Sequence, residues 1–274
     1  MTSDHELIDA PSPQESGIDE PEFSSWDVAT HGPEPHPDWV VTELAALDTE
    51  LGILKTGKEA DVHLVSRGVP GGRETLMAAK RYRTADHRLF HRDAGYTEGR
   101  RVKKSRERRA LAKRTDFGRE LAAGQWAGAE FGALCTLWNE GAPVPYPIQL
   151  YGTELMLEFI GTPEGQAAPR LAQTRPSPSE LADLYQQCVA AMRLMARAGY
   201  AHGDLSPYNL LVHEGRIVMI DLPQIVDLVA NPQGPDFLHR DCENVCTWFS
   251  RRGLDKVEFD QLFGDLVAEA LGTW

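Results

Sequence analysis

Two carboxylates and one amide form the strongest chemical pattern in the sequence. Asp204 and Asn209 lie five positions apart within the string HGDLSPYN, and Asp221 follows a short apolar run further on. Phosphoryl transfer needs a carboxylate that faces the acceptor hydroxyl, and it needs oxygen ligands that hold Mg²⁺ against the phosphates. Asp204 fits the first need, and Asn209 and Asp221 fit the second. Each residue alone is an ordinary turn former, but their ordered combination predicts an ATP- and Mg²⁺-dependent kinase.

A lysine in an apolar strand supports this interpretation. Lys80 lies in the string AAKRY, between small apolar residues and the end of a predicted strand. A lysine in such a setting needs a partner of opposite charge, and Glu130 on the following helix is the natural one. The pair would position the α- and β-phosphates of a nucleotide. The alternative is that Lys80 extends along a sheet edge to reach water.

Two further strings are candidates for nucleotide binding. The first hairpin contains TGKEADV, which places Thr56, Lys58, Glu59 and Val62 where a phosphate-covering loop is expected. The string contains one glycine, so an ordinary turn is the alternative interpretation. The string LEFIG ends a later strand, and the backbone groups of Glu158 and Ile160 could meet the edge of an adenine.

The elements that must position these residues divide the chain into two parts. The predicted strands are Ala60 to Val65, Leu76 to Tyr82, Ile148 to Tyr151, Glu154 to Ile160, Leu210 to His213 and Ile217 to Ile220. The predicted helices are Trp39 to Leu47, Phe117 to Asn139, one that begins at the Ser177 capping box, and two between Phe237 and Leu271. We therefore expect an α+β protein with a small β-rich lobe over residues 39–161 and a mainly helical lobe over 162–274.

Charge is distributed unevenly along the chain. The formal net charge is −13, and residues 1–50 contain 13 carboxylates and no Lys or Arg. With its Pro and Ser content, the segment 1–38 is predicted to be a disordered acidic tail, with an acidic docking arm as the alternative. A basic stretch between Arg100 and Arg119 is predicted to be a flexible loop over about residues 93–118. It lacks the interleaved aromatic residues of a nucleic-acid stacking platform, so direct nucleic-acid binding is not expected.

Several other classes of protein are disfavoured. No apolar run approaches the length needed to span a bilayer, and the chain starts without the pattern of a secretory signal. The four cysteines show no disulfide-scaffold spacing, which favours a cytoplasmic protein. His239, Cys242 and Cys246 share a helical face, but only three ligands are present in apolar surroundings, and buried core cysteines are a better explanation than a metal site.

Taken together, the motifs resemble the RIO family of atypical protein kinases over roughly residues 50 to 250. The resemblance rests on strings in this order: TGKEADV, AAKRY, WAGAEF, PVPYPI, LEFIG, HGDLSPYN, IDLPQ and FLHRDCENV. It implies a two-lobed protein-kinase-like fold without a long activation segment. It also implies Lys58 and Glu59 near the nucleotide, Lys80 on its phosphates with Glu130 as partner, Asp204 as catalytic base, and Asn209 and Asp221 as metal ligands.

The resemblance implies an activity and partners as well. The expected reaction is transfer from ATP, with Mg²⁺ or Mn²⁺, to Ser or Thr of a protein substrate. Autophosphorylation is included, with Ser105 and Thr115 as candidates by position. Family members are also thought to form an aspartyl-phosphate, which here would form on Asp221. A ribosome-related partner is raised by the resemblance but has no support in the residues.

This sequence departs from the family pattern at two positions, and two other functions stay open. Lys55 stands where the family tends to have Ser, and Pro223 stands in the metal motif IDLPQ where a small polar residue is frequent. Ser206 stands where ordinary kinases have Lys, which is a feature that this chain shares with the family. One alternative is an ATPase-type molecular switch that works through an aspartyl-phosphate. The other is a small-molecule phosphotransferase of the aminoglycoside or choline kinase type, which also uses a His-Gly-Asp…Asn loop.

Overall fold

The fold begins with a seven-stranded antiparallel sheet. The computed structural model describes residues 21–83, 116–222 and 225–272, and for 116–120 the backbone alone. The strands of the sheet are β1 (Glu22–Phe23), β2 (Thr30–His31), β3 (Leu47–Thr56), β4 (Ala60–Gly68), β5 (Glu74–Tyr82), β6 (Pro147–Tyr151) and β7 (Glu154–Glu158). Their order is β1-β3-β4-β5-β7-β6-β2. The predicted strands of this region lie in the sheet, except that β7 ends at Glu158, two residues before the predicted end at Ile160.

The N-terminal segment is part of this sheet. β1 pairs with one edge at β3, and β2 pairs with the other edge at β6. The chain before residue 39 was predicted to be disordered, and this prediction is wrong for residues 21–38. The physical reason is that two very short strands gain backbone hydrogen bonds on edges that other parts of the chain provide. The rest of the predicted tail lies outside the described residues.

A buried arginine ties the N-terminal segment to the sheet. The Arg67 side chain is fully buried and donates to both carboxylate oxygens of Asp48, each at 2.7 Å. It also donates to Gln149 Oε1 at 2.8 Å, and Gln149 in turn donates to Ser25 Oγ at 2.8 Å. Because a buried guanidinium needs all of these acceptors, this network fixes β3, β6 and the N-terminal segment relative to one another.

The segment from Trp39 to Leu47 is irregular, with turns at residues 38–39 and 44–45, and it is not helical, so that prediction is wrong. Val40, Val41 and Ala46 are each buried, and Val40 packs in one cluster with Val65 and Met77 of the sheet. Trp39 packs edge-on against Tyr146, with ring centroids 5.9 Å apart. The apolar spacing in the sequence thus reflects burial against the sheet and not one face of a helix.

One long helix connects the sheet to the helical part of the molecule. The helix α1 (Asp116–Asn139) matches its predicted range closely. Its residues Phe131, Leu134 and Leu137 belong to the large core of the helical part. The predicted basic loop before it falls outside the described residues, apart from residues 116–118, which are part of α1. Ser105 and Thr115 also lie outside the described residues.

Among the described residues, the helical part contains three α-helices, the 3-10 helix Leu171–Gln173 and two short pairs of strands. The α-helices and strands are α2 (Pro178–Arg197), α3 (Gly234–Arg251), α4 (Phe259–Leu271), β8 (Tyr200–Ala201), β9 (Leu210–His213), β10 (Arg216–Met219) and β11 (Val226–Asp227). α2 begins with the predicted capping box, in which Glu180 N donates to Ser177 Oγ and Ser177 N donates to Glu180. β9 pairs with β10, and β11 pairs with β8. No helix within the described ranges has the length and hydropathy needed to span a membrane.

Candidate active site

The cleft side of the sheet carries Lys80 at its centre. In the pairing of β4 with β5, Val62 lies opposite Lys80 and Leu64 lies opposite Ala78. Side chains alternate across a strand, so these four residues share one face. Tyr82, two residues after Lys80, is on the same face of β5. The sheet therefore presents a row of small and apolar residues around a single buried lysine.

Lys80 contacts two carboxylates at once. Its Nζ lies 2.8 Å from Glu130 Oε1 and 2.8 Å from Asp221 Oδ1. Burial lowers the pKa of Lys80, but the negative charges around it, Glu130 first, outweigh this effect and hold the pKa well above its ordinary value. Lys80 is therefore a fixed cation. The structure brings together three of the residues that the sequence singles out, from β5, from α1 and from the segment after β10.

Glu130 has two further partners that sequence reasoning missed. The hydroxyl of Tyr82 donates to its Oε2, and the backbone N–H of Leu222 donates to its Oε1 at 2.9 Å. Burial and the charge of Glu130 raise the pKa of Tyr82, so the phenol stays a hydrogen-bond donor. The periodicity of a strand could have indicated Tyr82, because it lies two residues from Lys80 and hence on the same face.

Asp221 lies in a strained backbone position beside two lysines. Its φ of 68° is in the left-handed region, which a non-glycine residue adopts at a cost and often at functional sites. Its Oδ2 lies 3.5 Å from Lys55 Nζ, and 33% of the side chain is exposed. Burial raises the pKa of Asp221, but Lys80 and Lys55 more than offset this and hold the pKa below its ordinary range. The carboxylate is therefore charged and open to the cleft.

The β9–β10 hairpin brings Asn209 next to Asp221. Leu210 pairs with Met219, and the N–H of Ile220 donates to the carbonyl of Asn209 at 3.0 Å. The side-chain Nδ2 of Asn209 donates to the carbonyl of Asp204 at 3.0 Å. Because the amide nitrogen is used in this way, its Oδ1 is the atom left to act as a ligand.

Asp241 holds the backbone of the catalytic loop, a role that was not predicted from the sequence. It is 1% exposed, and its two oxygens accept the N–H groups of Gly203 and Leu205, each at 2.8 Å. These amides flank Asp204, so the backbone of the proposed base is fixed on both sides. Asn244 adds a hydrogen bond to the carbonyl of Leu205 at 3.0 Å. The string FLHRDCENV contains both residues, but only the tertiary structure shows what they hold.

His202 joins the catalytic loop to the strand end before Asp221. Its side chain is buried, and its Nε2 lies 3.1 Å from the carbonyl of Ile220. This contact, together with the Asn209 hairpin, fixes the relative position of the two loops. Asp204 itself is exposed, and its carboxylate makes no hydrogen bond to the described part of the chain. It is thus free to meet an acceptor in the cleft.

The predicted phosphate loop is a tight turn between β3 and β4. The N–H of Gly57 donates to the carbonyl of Ala60 at 3.0 Å, and the N–H of Arg83 donates to the carbonyl of Glu59 at 2.9 Å. A Cβ at position 57 would lie 2.8 Å from the carbonyl oxygen of Ala60, so a glycine is required there. Thr56 and Lys58 are exposed, and Val62 is half-buried on the cleft side.

The strand end that was predicted to meet an adenine is held by two contacts. The carboxylate of Glu158 accepts the N–H of Tyr146 at 3.0 Å, and burial raises its pKa. The carbonyl of Ile160 accepts the N–H of Ala168 at 2.9 Å. This segment is therefore a rigid connection between the sheet and the helical part.

The donor atoms fit a Mg²⁺ ion that is shared with a nucleotide. Asn209 Oδ1 and the carboxylate of Asp221 are hard oxygen ligands, and magnesium sites in such enzymes use one or two protein ligands with phosphates and water. Within the described residues, no three His, Cys, Asp or Glu side chains form a metal site of their own. His239 is exposed and packs against the rings of Phe259 and Phe263, whereas Cys242 and Cys246 are buried, which agrees with the core interpretation of the two cysteines.

Comparisons with known proteins agree with the geometry. A family model described as the RIO domain matches residues 71–262. The RIO-type serine/threonine-protein kinase Rio1 of Haloferax volcanii is 36% identical over 218 residues, which cover 79% of this chain and 68% of that protein. The serine/threonine-protein kinase rio1 of Schizosaccharomyces pombe is 33% identical over 219 residues, which cover 80% of this chain and 41% of that protein. This chain thus matches about two thirds of the archaeal relative and less than half of the yeast one.

A solved structure shows the same fold. The Rio2 kinase from Chaetomium thermophilum, in an ADP/Mg²⁺-phosphoaspartate complex, superposes with a TM-score of 0.54 and 21% identity, over 82% of this chain and 66% of that chain. The likeness supports the protein-kinase-like fold that the motifs imply. The extent of the domain match and the identity to Rio1 together show that this chain belongs to the RIO family of atypical serine/threonine protein kinases.

Proposed function

We propose that this chain transfers the terminal phosphate of ATP, with Mg²⁺, to Ser or Thr hydroxyls of a protein, its own chain included. The observation that carries the proposal is the position of Lys80 between Glu130 and Asp221, at 2.8 Å from each. A lysine fixed by one buried and one accessible carboxylate is what kinases use to orient phosphates beside a metal ligand. The names of the relatives support a protein acceptor over a small molecule.

The nucleotide is proposed to lie between the sheet and the catalytic loop. Lys80 would contact the α- and β-phosphates, and the turn that contains Thr56, Lys58, Glu59 and Val62 would cover them. At the other end, the backbone of Glu158 and Ile160 would meet the adenine. Since the Ile160 carbonyl already accepts from Ala168, its amide is the group proposed to contact the base.

The metal is proposed to be held by Asn209 Oδ1 and Asp221. When bound, Mg²⁺ would neutralise phosphate charge during transfer. Mn²⁺ is proposed as a substitute because it accepts the same hard oxygen ligands. Asp221 is prepared for a cation, since its lowered pKa keeps it ionised at neutral pH. A metal would compete with Lys55 and Lys80 for the oxygens of Asp221.

Asp204 is proposed to orient the acceptor hydroxyl and accept its proton. Its exposed carboxylate faces no competing partner among the described residues, while the amides on either side are held by Asp241. A base on a fixed backbone can hold a hydroxyl in line with the phosphate, which supplies much of the rate in phosphoryl transfer.

An ATPase-type switch is the second candidate, and one observation favours it. The side chain of Asp221 is 33% exposed, whereas that of Glu130 is 1% exposed. An accessible carboxylate could itself attack the terminal phosphorus, forming an oxygen–phosphorus bond as the bond to ADP breaks. The solved Rio2 structure contains a phosphoaspartate. Later attack by water would return the free carboxylate and phosphate.

The proposed location is the cytoplasm. All four cysteines are free thiols, and Cys188, Cys242 and Cys246 are buried. Free thiols suit a reducing compartment. An unidentified protein substrate is the proposed partner, and we propose no ribosome-related or nucleic-acid partner.

Incubation with γ-labelled ATP and Mg²⁺ tests the proposal. We expect label on the wild-type chain and on an added protein acceptor, stable to hydroxylamine and located on Ser or Thr. Asp204→Ala and Asp221→Asn should both remove it. Label that hydroxylamine strips and that only Asp221→Asn removes would favour the switch. A wild-type chain that neither takes up label nor turns over ATP would contradict both.

A further inference from the structure

Lys55 lies on the same face of the sheet as Lys80. Lys55 is paired with Val62 across β3 and β4, and Val62 is paired with Lys80 across β4 and β5. The register between β3 and β4 shifts after Ile53, so that Leu54 is an extra residue in β3. A bulge of this kind changes the direction in which the following side chain points. Lys55, Val62 and Lys80 therefore form a row across three strands that faces Asp221.

The two lysines hold the two oxygens of Asp221 differently. Lys80 is 9% exposed, lies 2.8 Å from Oδ1 and is also held by Glu130. Lys55 is 43% exposed, lies 3.5 Å from Oδ2, and has Asp221 as its ion-pair partner in the described structure. A long, half-exposed ion pair is weak. Lys55 can therefore leave the carboxylate at little cost, whereas Lys80 is fixed.

The catalytic loop supplies no positive charge of its own. Residues 202–209 contain no Lys or Arg, and the guanidinium of Arg240 donates to the carbonyl of Gly203 beneath the loop. The terminal phosphate of a triphosphate would lie between this loop and Asp221. Its charge needs a cation from the opposite wall of the cleft, and among the described lysines Lys55 is the one that contacts Asp221 from an exposed position.

We propose that Lys55 is a binding residue for the terminal phosphate of the nucleoside triphosphate. In the nucleotide-free protein its ammonium holds Asp221 Oδ2. When the carboxylate takes the metal, the ammonium moves to a terminal phosphate oxygen close by. The inference rests on the proposed function, because it assumes that a magnesium triphosphate occupies this cleft. A contact with the terminal phosphate means that Lys55 contributes to the binding of the triphosphate and not to that of the diphosphate.

Calorimetric binding of a non-hydrolysable ATP analogue and of ADP, each with Mg²⁺, tests the inference without turnover. The variants are Lys55→Ser, Lys55→Arg and, as a matched loss of one exposed lysine, Lys256→Ser in the turn between α3 and α4. We expect Lys55→Ser to weaken the binding of the triphosphate analogue about tenfold, the size of one charge-assisted hydrogen bond. The binding of ADP should weaken less than about twofold. Lys55→Arg should restore most of the loss, and Lys256→Ser should bind like the wild type. Thermal unfolding without nucleotide checks that each variant is folded.

The outcomes separate this inference from the proposed function. Equal weakening of both nucleotides, or no weakening of either, would overturn the role in terminal-phosphate binding. Tighter binding of the triphosphate by Lys55→Ser would also overturn it, because Lys55 would then only compete with the metal for Asp221. If the wild type itself binds neither nucleotide, the proposed function fails first.

Discussion

Two carboxylates near the catalytic loop, Asp221 and Asp241, have opposite surroundings. Asp221 faces the cleft, is one-third exposed and is neutralised by the side-chain cations of Lys80 and Lys55. Asp241 lies in the core, is 1% exposed and is held by the backbone amides of Gly203 and Leu205. Both lie close to Asp204 in the fold, yet their chemistry differs.

The two carboxylates differ in the direction of their pKa shifts and in whether a metal can displace the groups that bind them. Burial raises the pKa of Asp221, but the two lysines outweigh it and the pKa falls below its ordinary value. Burial also raises the pKa of Asp241. There the hydrogen bonds from the amides oppose this effect without offsetting it, so the pKa stays above its ordinary value. Side-chain cations can move aside for a metal, whereas backbone amides cannot. Asp221 is thus suited to exchange ligands, and Asp241 is suited to hold a loop still.

The largest expected effect comes from removing the charge of Asp221. Asp221→Asn should lower the rate of phosphoryl transfer roughly 10²- to 10³-fold, the usual cost of losing one preorganised electrostatic contact in a transition state. The change keeps the size of the side chain, so the fold should be retained. Steady-state assays measure the transfer rate, and circular dichroism checks that the fold is retained. Transfer within about threefold of the wild type would contradict the assigned role.

Asp241→Asn should act through stability. An amide offers one acceptor oxygen and places N–H donors against a backbone N–H, so one buried amide is left unpaired. We expect the free energy of unfolding to fall by about 3 kcal/mol and activity to fall with it. Urea unfolding measures the change. Asp236→Asn, an exposed position in the first turn of the same helix, is the control and should stay within about 0.5 kcal/mol.

The hydroxyl of Tyr82 should matter because it pairs with a buried charge. Tyr82→Phe leaves Glu130 Oε2 without that donor, and the expected loss in unfolding free energy is about 2 kcal/mol. The matched control is Tyr146→Phe, whose hydroxyl donates to the neutral carbonyl of Pro33 at 2.9 Å, with an expected loss of about 1 kcal/mol. Equal losses for the two variants would show that the charge of Glu130 adds nothing.

The smallest effect is a dependence of stability on acid pH. Because the pKa of Asp221 is lowered in the folded state, its charge stabilises the fold above the unfolded pKa of about 3.9. That contribution is lost as the pH falls through the lowered folded pKa. The difference in unfolding free energy between wild type and Asp221→Asn should therefore be constant near neutral pH and shrink from about pH 5 downward. A difference that does not change between pH 7 and pH 3.5 would refute this linkage.

The sequence predicted the parts of the site that depend on local patterns. The capping box at Ser177 and the partner of Lys80 could be found because each depends on residue type, spacing and one element of structure. The N-terminal strands could not be found, since two-residue strands form only on sheet edges that distant residues provide. The role of Asp241 could not be found either, because the amides it holds are brought to it by tertiary packing. The segment from Trp39 to Leu47 was wrongly predicted to be a helix, because its apolar residues are buried against the sheet without forming one face of a helix.

The role of Asp204 as catalytic base is best tested by the transfer rate of Asp204→Asn, measured together with its affinity for nucleotide. Asp204 is exposed and its carboxylate has no partner in the described structure, so this change should leave the fold and the binding of Mg²⁺-ATP as they are. We expect phosphoryl transfer to a protein acceptor to fall at least about 10²-fold, the size expected for loss of a positioned base. Transfer at the wild-type rate by a folded, nucleotide-binding Asp204→Asn would contradict the assignment of this cleft as the kinase active site.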